Sequence, residues 1–179
     1  MRNLLLHLIF IYLPGNAICQ PGNLSKIPAI PLTANKIVYT ALVNLDTTIR
    51  KEKLFYNAEE WYRYNFQSSD NTLTIDNRDN GIISGTGIIH AGKREKEVEA
   101  KDVFFTIDIS VGKGEYRYKV YGIYSFEDTA KFHYSDMYNE ELYPTDKPHW
   151  PEQYRRSMLI NMNDRITAMI GKLQEAMKK

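Results

Sequence analysis

The chain has 179 residues, 43% of them apolar, with 23 Lys+Arg against 22 Asp+Glu and a single cysteine. That length and apolar share suffice for one domain with its own core. A balanced charge supplies no long-range field to gather nucleic acid or an anionic membrane surface. One cysteine excludes an internal disulfide and a thiolate zinc cluster.

Residues 1–19 begin with Arg2, continue through the apolar run Leu4–Leu13 with His7 inside it, and end in Pro14-Gly15-Asn16-Ala17-Ile18-Cys19. A charged start, a short apolar core and small residues are the layout of a secretory signal peptide. The run falls well short of the ~20 apolar residues that a spanning helix needs, so no transmembrane segment is expected from it. Cleavage between Cys19 and Gln20 puts Ala17 and Cys19 at the small-residue places before the cut; cleavage after Ala17 is the alternative. Lipid attachment at Cys19 fits less well, because Asn16 and Ile18 stand where a lipobox wants an aliphatic and a small residue. The expected location is the periplasm or the cell exterior. The mature chain of about 160 residues is large enough for a core. It has lost Arg2 and Cys19, so its charges cancel and it holds no cysteine.

Residues 20–35 carry Pro21, Gly22, Pro28 and Pro31 without periodicity and read as an extended leader. Lys36 to Asn44 is rich in β-branched and aromatic residues and predicts a strand. Asp46, Thr47 and Thr48 offer N-cap oxygens for a helix over Arg50–Phe66, where Leu54, Ala58, Trp61 and Tyr62 recur at helical spacing. Trp61 on that stripe is expected in the core. Thr72–Asp76 alternates, Asp79-Asn80-Gly81 is a turn signal, and Ile82–His90 is strand-like, which together predict a hairpin. Gly85-Thr86-Gly87 lies inside the second strand, with no Lys-Ser/Thr after it. It marks a bulge or a place where helix or backbone packs closely on the strand, and not a phosphate loop.

Residues 91–100 are charged and read as an exposed connection. Val103, Phe105, Ile107, Ile109 and Val111 alternate with polar and aromatic residues. After the turn Gly112-Lys113-Gly114-Glu115, the stretch Tyr116–Phe126 alternates again, with Tyr116, Tyr118 and Val120 opposite Arg117 and Lys119. Residues 127–150 look like a long irregular loop. Pro151 suits a first helical position, and Leu159, Met162, Ile166, Met169, Ile170, Leu173 and Met177 draw an apolar stripe along a helix over 152–178.

Strand, helix, four strands and helix is an α+β order. It resembles the TBP-like fold, β-α-β4-α, a curved antiparallel sheet with helices packed on one face. The chain also resembles an exported bacterial family known as domain of unknown function 4468. The carriers are Leu54-Phe55-Tyr56-Asn57-Ala58-Glu59-Glu60-Trp61, the hairpin Asp76…Asn80-Gly81-Ile82-Ile83-Ser84-Gly85-Thr86-Gly87, and the strand Val103–Ile109. The resemblance implies a fold and transfers no catalytic residue, and the fold's name implies no DNA binding. The expected organisation is a signal peptide over 1–19, a leader over 20–35 and one α+β domain over 36–179.

No constellation of residues requires a catalytic, cofactor or metal site. His90, His133 and His149 lack ligand spacing, although His133 and Asp136 are near neighbours. Asp76 and Asp79 lack the alternate acids of a calcium loop. The tyrosines and bases of Tyr116-Arg117-Tyr118-Lys119 fall on opposite faces, which separates stacking from phosphate binding. The best candidate interaction surface is the stripe Met162, Ile166, Met169 and Leu173, whose four-three-four spacing approaches a coiled-coil seam and offers a homodimer contact. The expected function is a non-enzymatic envelope module, without cofactor or nucleic acid, that binds a protein, a glycan or a small apolar ligand. The alternatives are a hydrolase-like enzyme with Asp136, Glu140, Glu141 and His149 as its acids and base, or a structural dimerisation module.

Overall fold

The computed structural model describes residues 26–66, 73–90, 101–127, 129–142 and 150–179. The signal peptide expected over residues 1–19, the connection at 91–100 and His149 lie outside the described residues. Alternating sequences become one antiparallel sheet of six strands: β3 (Tyr39–Asn44), β4 (Leu73–Asn77), β5 (Ile82–Ile89), β6 (Val103–Val111), β7 (Glu115–Glu127) and β8 (Ala130–His133). The order is β3-β7-β6-β5-β4. The long β7 is shared on one side, its first half pairing with β3 and its last four residues with β8.

The period-two pattern decides what is buried. In β6 the five residues Val103, Phe105, Ile107, Ile109 and Val111 all point into the core. In β7 the buried set is Tyr116, Tyr118 and Val120, then Ile123 and Ser125. The change of parity comes from a bulge. Thr106 faces Tyr121 and Phe104 faces Tyr124, so Gly122 and Ile123 together oppose the single Phe105. Gly122 has φ +63°, the left-handed conformation that a glycine-led bulge requires.

Among the described residues, three helices cover one face of this sheet. Helix α1 (Lys51–Asn65) buries Leu54, Phe55, Ala58, Trp61 and Tyr62 against β5 and β6. Helix α2 (Tyr134–Leu142) follows β8, and α3 (Glu152–Ala176) buries Met158, Leu159, Met162, Ile166, Met169, Ile170 and Leu173. Polar contacts fix α3 in place. The Tyr39 hydroxyl donates to Asn163 Oδ1 at 2.9 Å. The Arg165 guanidinium donates to the carbonyls of Lys101, Ile89 and His90, closing the ends of β5 and β6. Gly87 is where a strand meets a ring: a Cβ there would enter the ring of Phe105. The close packing expected of the Gly85-Thr86-Gly87 segment is therefore real.

Several local expectations need correction. The leader is not extended to its end, because β1 (Leu32–Thr33) pairs with β2 (Lys36–Ile37) in a small hairpin, and Ile30 and Ile37 are core residues. Strand 36–44 is accordingly broken at Val38. The loop expected over 127–150 contains β8 and α2, whose Tyr134, Met137 and Tyr138 are buried. The Asp79-Asn80-Gly81 hairpin forms with a longer turn, over residues 78–81, in which Gly81 takes φ +69°. Asp46 does not cap α1. Its Oδ1 accepts from Thr48 N at 2.8 Å, a local turn that lowers the pKa of its carboxyl, and the helix starts after Arg50 without a side-chain cap.

Burial of phenols gives the fold an alkaline limit. Desolvation pushes the hydroxyls of Tyr62 and Tyr116 up from 10.0 to about 12. The folded state holds these protons more tightly than the unfolded chain does. Their contribution is therefore complete below pH 10 and is lost as pH rises through about 12. Urea midpoints measured at increasing pH should be flat up to that window and fall across it. In a Tyr62→Phe variant the fall should be shallower.

Candidate functional site

Among the described residues the helices occupy one side of the sheet, so the alternate residues of the same strands form a face that no described helix covers. Pairing registers place Thr40 and Leu42 of β3 beside Lys119 and Arg117 of β7 on that face. Ser84 and Thr86 of β5 lie beside Asp108 and Thr106 of β6, and Ile88, which is buried, lies beside Phe104. Tyr124 and Phe126 of β7 pair with His133 and Lys131 of β8.

The cross-strand neighbours at one end are aromatic. Phe104 and Tyr124 stack with centroids 5.0 Å apart and planes 13° from parallel. Phe126 stands edge-on to both, at 5.3 and 5.7 Å, and the His133 ring is 5.8 Å from Tyr124. The Lys131 ammonium sits 3.7 Å above the Tyr124 ring, a cation–π contact that holds a charge at the edge of the cluster. Phe126 is 38% exposed, and Leu42, Ile75 and Ile82 are exposed around the same sheet.

A polar centre adjoins this cluster. Ser84 Oγ donates to Asp108 Oδ1 at 2.5 Å. Tyr121 stands close enough to feel the same carboxylate: desolvation, then the Asp108 charge, raises its pKa. Lys119 Nζ lies 4.8 Å over the Tyr121 ring. The surface thus offers flat apolar rings, three cations (Arg117, Lys119 and Lys131) and one carboxylate that already holds the Ser84 hydroxyl. It suits stacking and hydrogen bonding. Among the described residues, no three His, Cys, Asp or Glu side chains come together to hold a metal ion.

The candidates drawn from sequence fall elsewhere. Met162, Ile166 and Leu173 are fully buried and Met169 is nearly so, which corrects the reading of that stripe as an interaction surface. The sheet of the same chain already covers the seam that would have served a dimer. Glu140 and Glu141 of α2 are taken up by ion pairs with α3. Arg155 takes Glu141 at 2.6 Å and Glu140 at 3.6 Å, and Arg156 reaches Glu141 at 2.8 Å. Asp136 is exposed on α2, while His133 turns to Tyr124, so the two do not form the pair suggested by their closeness in sequence. His90 Nδ1 instead meets Asp102 Oδ2 at 3.1 Å in an exposed contact. Arg117 and Lys119 do oppose Tyr116 and Tyr118, as alternation requires. The sequence signal for the uncovered face was the second half of that alternation: Phe104 between two core residues, and Tyr124 and Phe126 beyond the bulge.

Comparison with known proteins identifies the architecture. A family model described as "Domain of unknown function (DUF4468) with TBP-like fold" matches residues 39–125. A TBP-like protein from Parabacteroides distasonis ATCC 8503 superposes with a TM-score of 0.60 at 11% identity, covering 81% of this chain and 97% of its own. A DUF4468 family protein from Bacteroides ovatus ATCC 8483 also gives 0.60, at 13% identity, covering 86% of this chain and 92% of its own. At such identities the likeness concerns the fold, which is α+β and TBP-like. None of the curated proteins compared matches the sequence. No helix among the described residues is long and apolar enough to cross a membrane.

Proposed function

We propose, from the premise that residues 39–125 match a family of unknown function with a TBP-like fold, that this chain is an exported, non-enzymatic binding module. Its contact surface is the uncovered sheet face. The carrying observation is the cluster Phe104, Tyr124, Phe126 and His133, on the side that no described helix covers and edged by Lys131. Stacked rings beside cations and hydroxyls recognise a partner through apolar contact and acceptor oxygens together, as on a glycan or the acidic edge of a protein. The signal-peptide layout of residues 1–19 supports export to the envelope.

The test is capture from the native envelope with three baits: the mature domain, a Phe126→Ser/Lys131→Glu variant, and a Tyr56→Ser control on the exposed side of α1. Both altered positions of the first variant are exposed, so the fold should survive them. The expected result is one partner held by the mature domain and by the control, and lost by the sheet-face variant. Retention by the sheet-face variant, or loss by the control alone, overturns the assignment of this face.

A further inference from the structure

Among the described residues, β3 and β4 end the strand order β3-β7-β6-β5-β4. An end strand presents a row of unpaired N–H and C=O groups, and proteins guard such rows with charges, prolines and bulges. β4 has two of these devices: its pairing slips between Leu73 and Ile75, and it carries the exposed Asp76. β3 has none. Tyr39-Thr40-Ala41-Leu42-Val43-Asn44 pairs with β7 without a break and contains no charge and no proline. Alternation tells which of its backbone groups point outward. Leu45 N donates to Gly114 O across the pair, so Val43, Ala41 and Tyr39 bond to β7. Thr40, Leu42 and Asn44 turn their N–H and C=O groups to the open side, and all three residues are exposed. Val38 falls in the same outward series, and its N–H is taken by Pro31 O at 3.1 Å. The chain thus guards the start of its own edge and leaves 40–44 open.

We infer that β3 pairs antiparallel with β3 of a second copy of this chain, Leu42 facing Leu42 across a twofold axis. That register joins Thr40 of each copy to Asn44 of the other and satisfies every outward group between them. Charge selects the occupant. An uncharged row meets itself without setting like charges opposite each other. The exposed Lys36 precedes the strand and the exposed Asp46 follows it, so an antiparallel copy brings each lysine toward the other chain's aspartate. A parallel copy would set like against like. Arg117 and Lys119 do not oppose the contact: β7 and its copy lie three strand spacings apart, about 14 Å, beyond the ~8–10 Å over which salt leaves charges unscreened. A single strand pair is a small contact, below the ~1,200 Å² of stable complexes, so the dimer is weak and concentration-dependent. The two faces that no described helix covers then become one continuous surface.

Sedimentation equilibrium of the full mature domain, followed up to about 1 mM, should show the mass rising from monomer to dimer. Leu42→Lys puts two ammonium groups on the axis and should stay monomeric, and so should Leu42→Glu. Their equimolar mixture should dimerise, because unlike charges then face each other. Leu42 is half exposed, so the fold should tolerate both changes. Ile75→Lys on β4 is the control at an equally exposed place and should dimerise like the parent. Amide exchange gives a second readout. The N–H groups of Thr40, Leu42 and Asn44 should exchange freely in dilute protein and slow as concentration rises, while Ala41 and Val43 stay protected throughout. A mass that stays monomeric overturns the inference, as does a dimer that survives Leu42→Lys or one that leaves those three amides unprotected. Protection already present in the dilute monomer overturns it too, since a segment of the chain itself then occupies the edge.

Discussion

Replacing Arg155 with methionine should destabilise the domain by about 3–5 kcal/mol, the range for removing one partner of a buried ion pair. Arg155 lies on α3 and is buried. Its Nε and Nη2 donate to Glu141 Oε2 at 2.9 and 2.6 Å, and its Nη1 lies 3.6 Å from Glu140 Oε1. Both glutamates are on α2, so one guanidinium ties the two helices together. Methionine matches the stem of arginine and leaves two carboxylates without that charge, of which Glu141 keeps Arg156 at 2.8 Å. Urea unfolding should show the loss as a lower midpoint with an unchanged slope. The double variant Arg155→Met/Glu140→Leu should recover part of it, since an apolar pair carries no uncompensated charge. A loss below about 1 kcal/mol would mean that water screens the pair as it does at a surface.

Trp61→Ala should cost a similar ~3–5 kcal/mol for a different reason. The indole joins a run of edge contacts that crosses from α1 to the sheet. Trp61 meets Phe66 with centroids 5.5 Å apart at 80°, and Phe66 meets Phe105 at 5.5 Å and 70°. Alanine would open a void at the head of that run. Trp61→Phe keeps a ring in place and removes a donor that has no acceptor, so its cost should stay under about 1.5 kcal/mol. Thermal unfolding of both variants separates shape from polarity. Equal large losses in the two would show that the indole N–H is paired in solution.

The sequence showed the core more clearly than the surface. Val103, Phe105, Ile107, Ile109 and Val111 mark their face unaided, because a half-buried strand writes its core side in every second residue. Trp61 and the α3 stripe were legible in the same way, as helical periodicity. Periodicity names a buried side without naming what covers it. The stripe of Met162, Ile166, Met169 and Leu173 therefore had two readings until the sheet was found against it. Phe104, Tyr124 and Phe126 were harder to place: an aromatic residue on an exposed face looks like one more core residue until the strand's parity is known. The β1–β2 hairpin was hidden because its turn is Ala34-Asn35, with φ +48° and +58°. Alanine is a poor signal for that conformation, and the run of prolines before it pointed to coil. Helix α2 did carry a signal, Tyr134, Met137 and Tyr138 at three- and four-residue spacing, but the prolines downstream masked it.

Gly122 has a reach beyond its own turn. One residue without an opposite number makes β7 a strand written in two frames, as a single inserted base divides a coding sequence. Upstream of it even numbers are core; downstream odd numbers are. Delete Gly122, and the faces stay as they are; draw it into the regular pleat, and Tyr124 and Phe126 would turn inward while Ile123 and Ser125 turned outward. The proposed contact surface and the hydrophobic interior would exchange residues without any change in composition. The aromatic face is thus a property of the bulge as much as of residue type, and a change that forces Gly122 into the regular alternation weighs more than most substitutions.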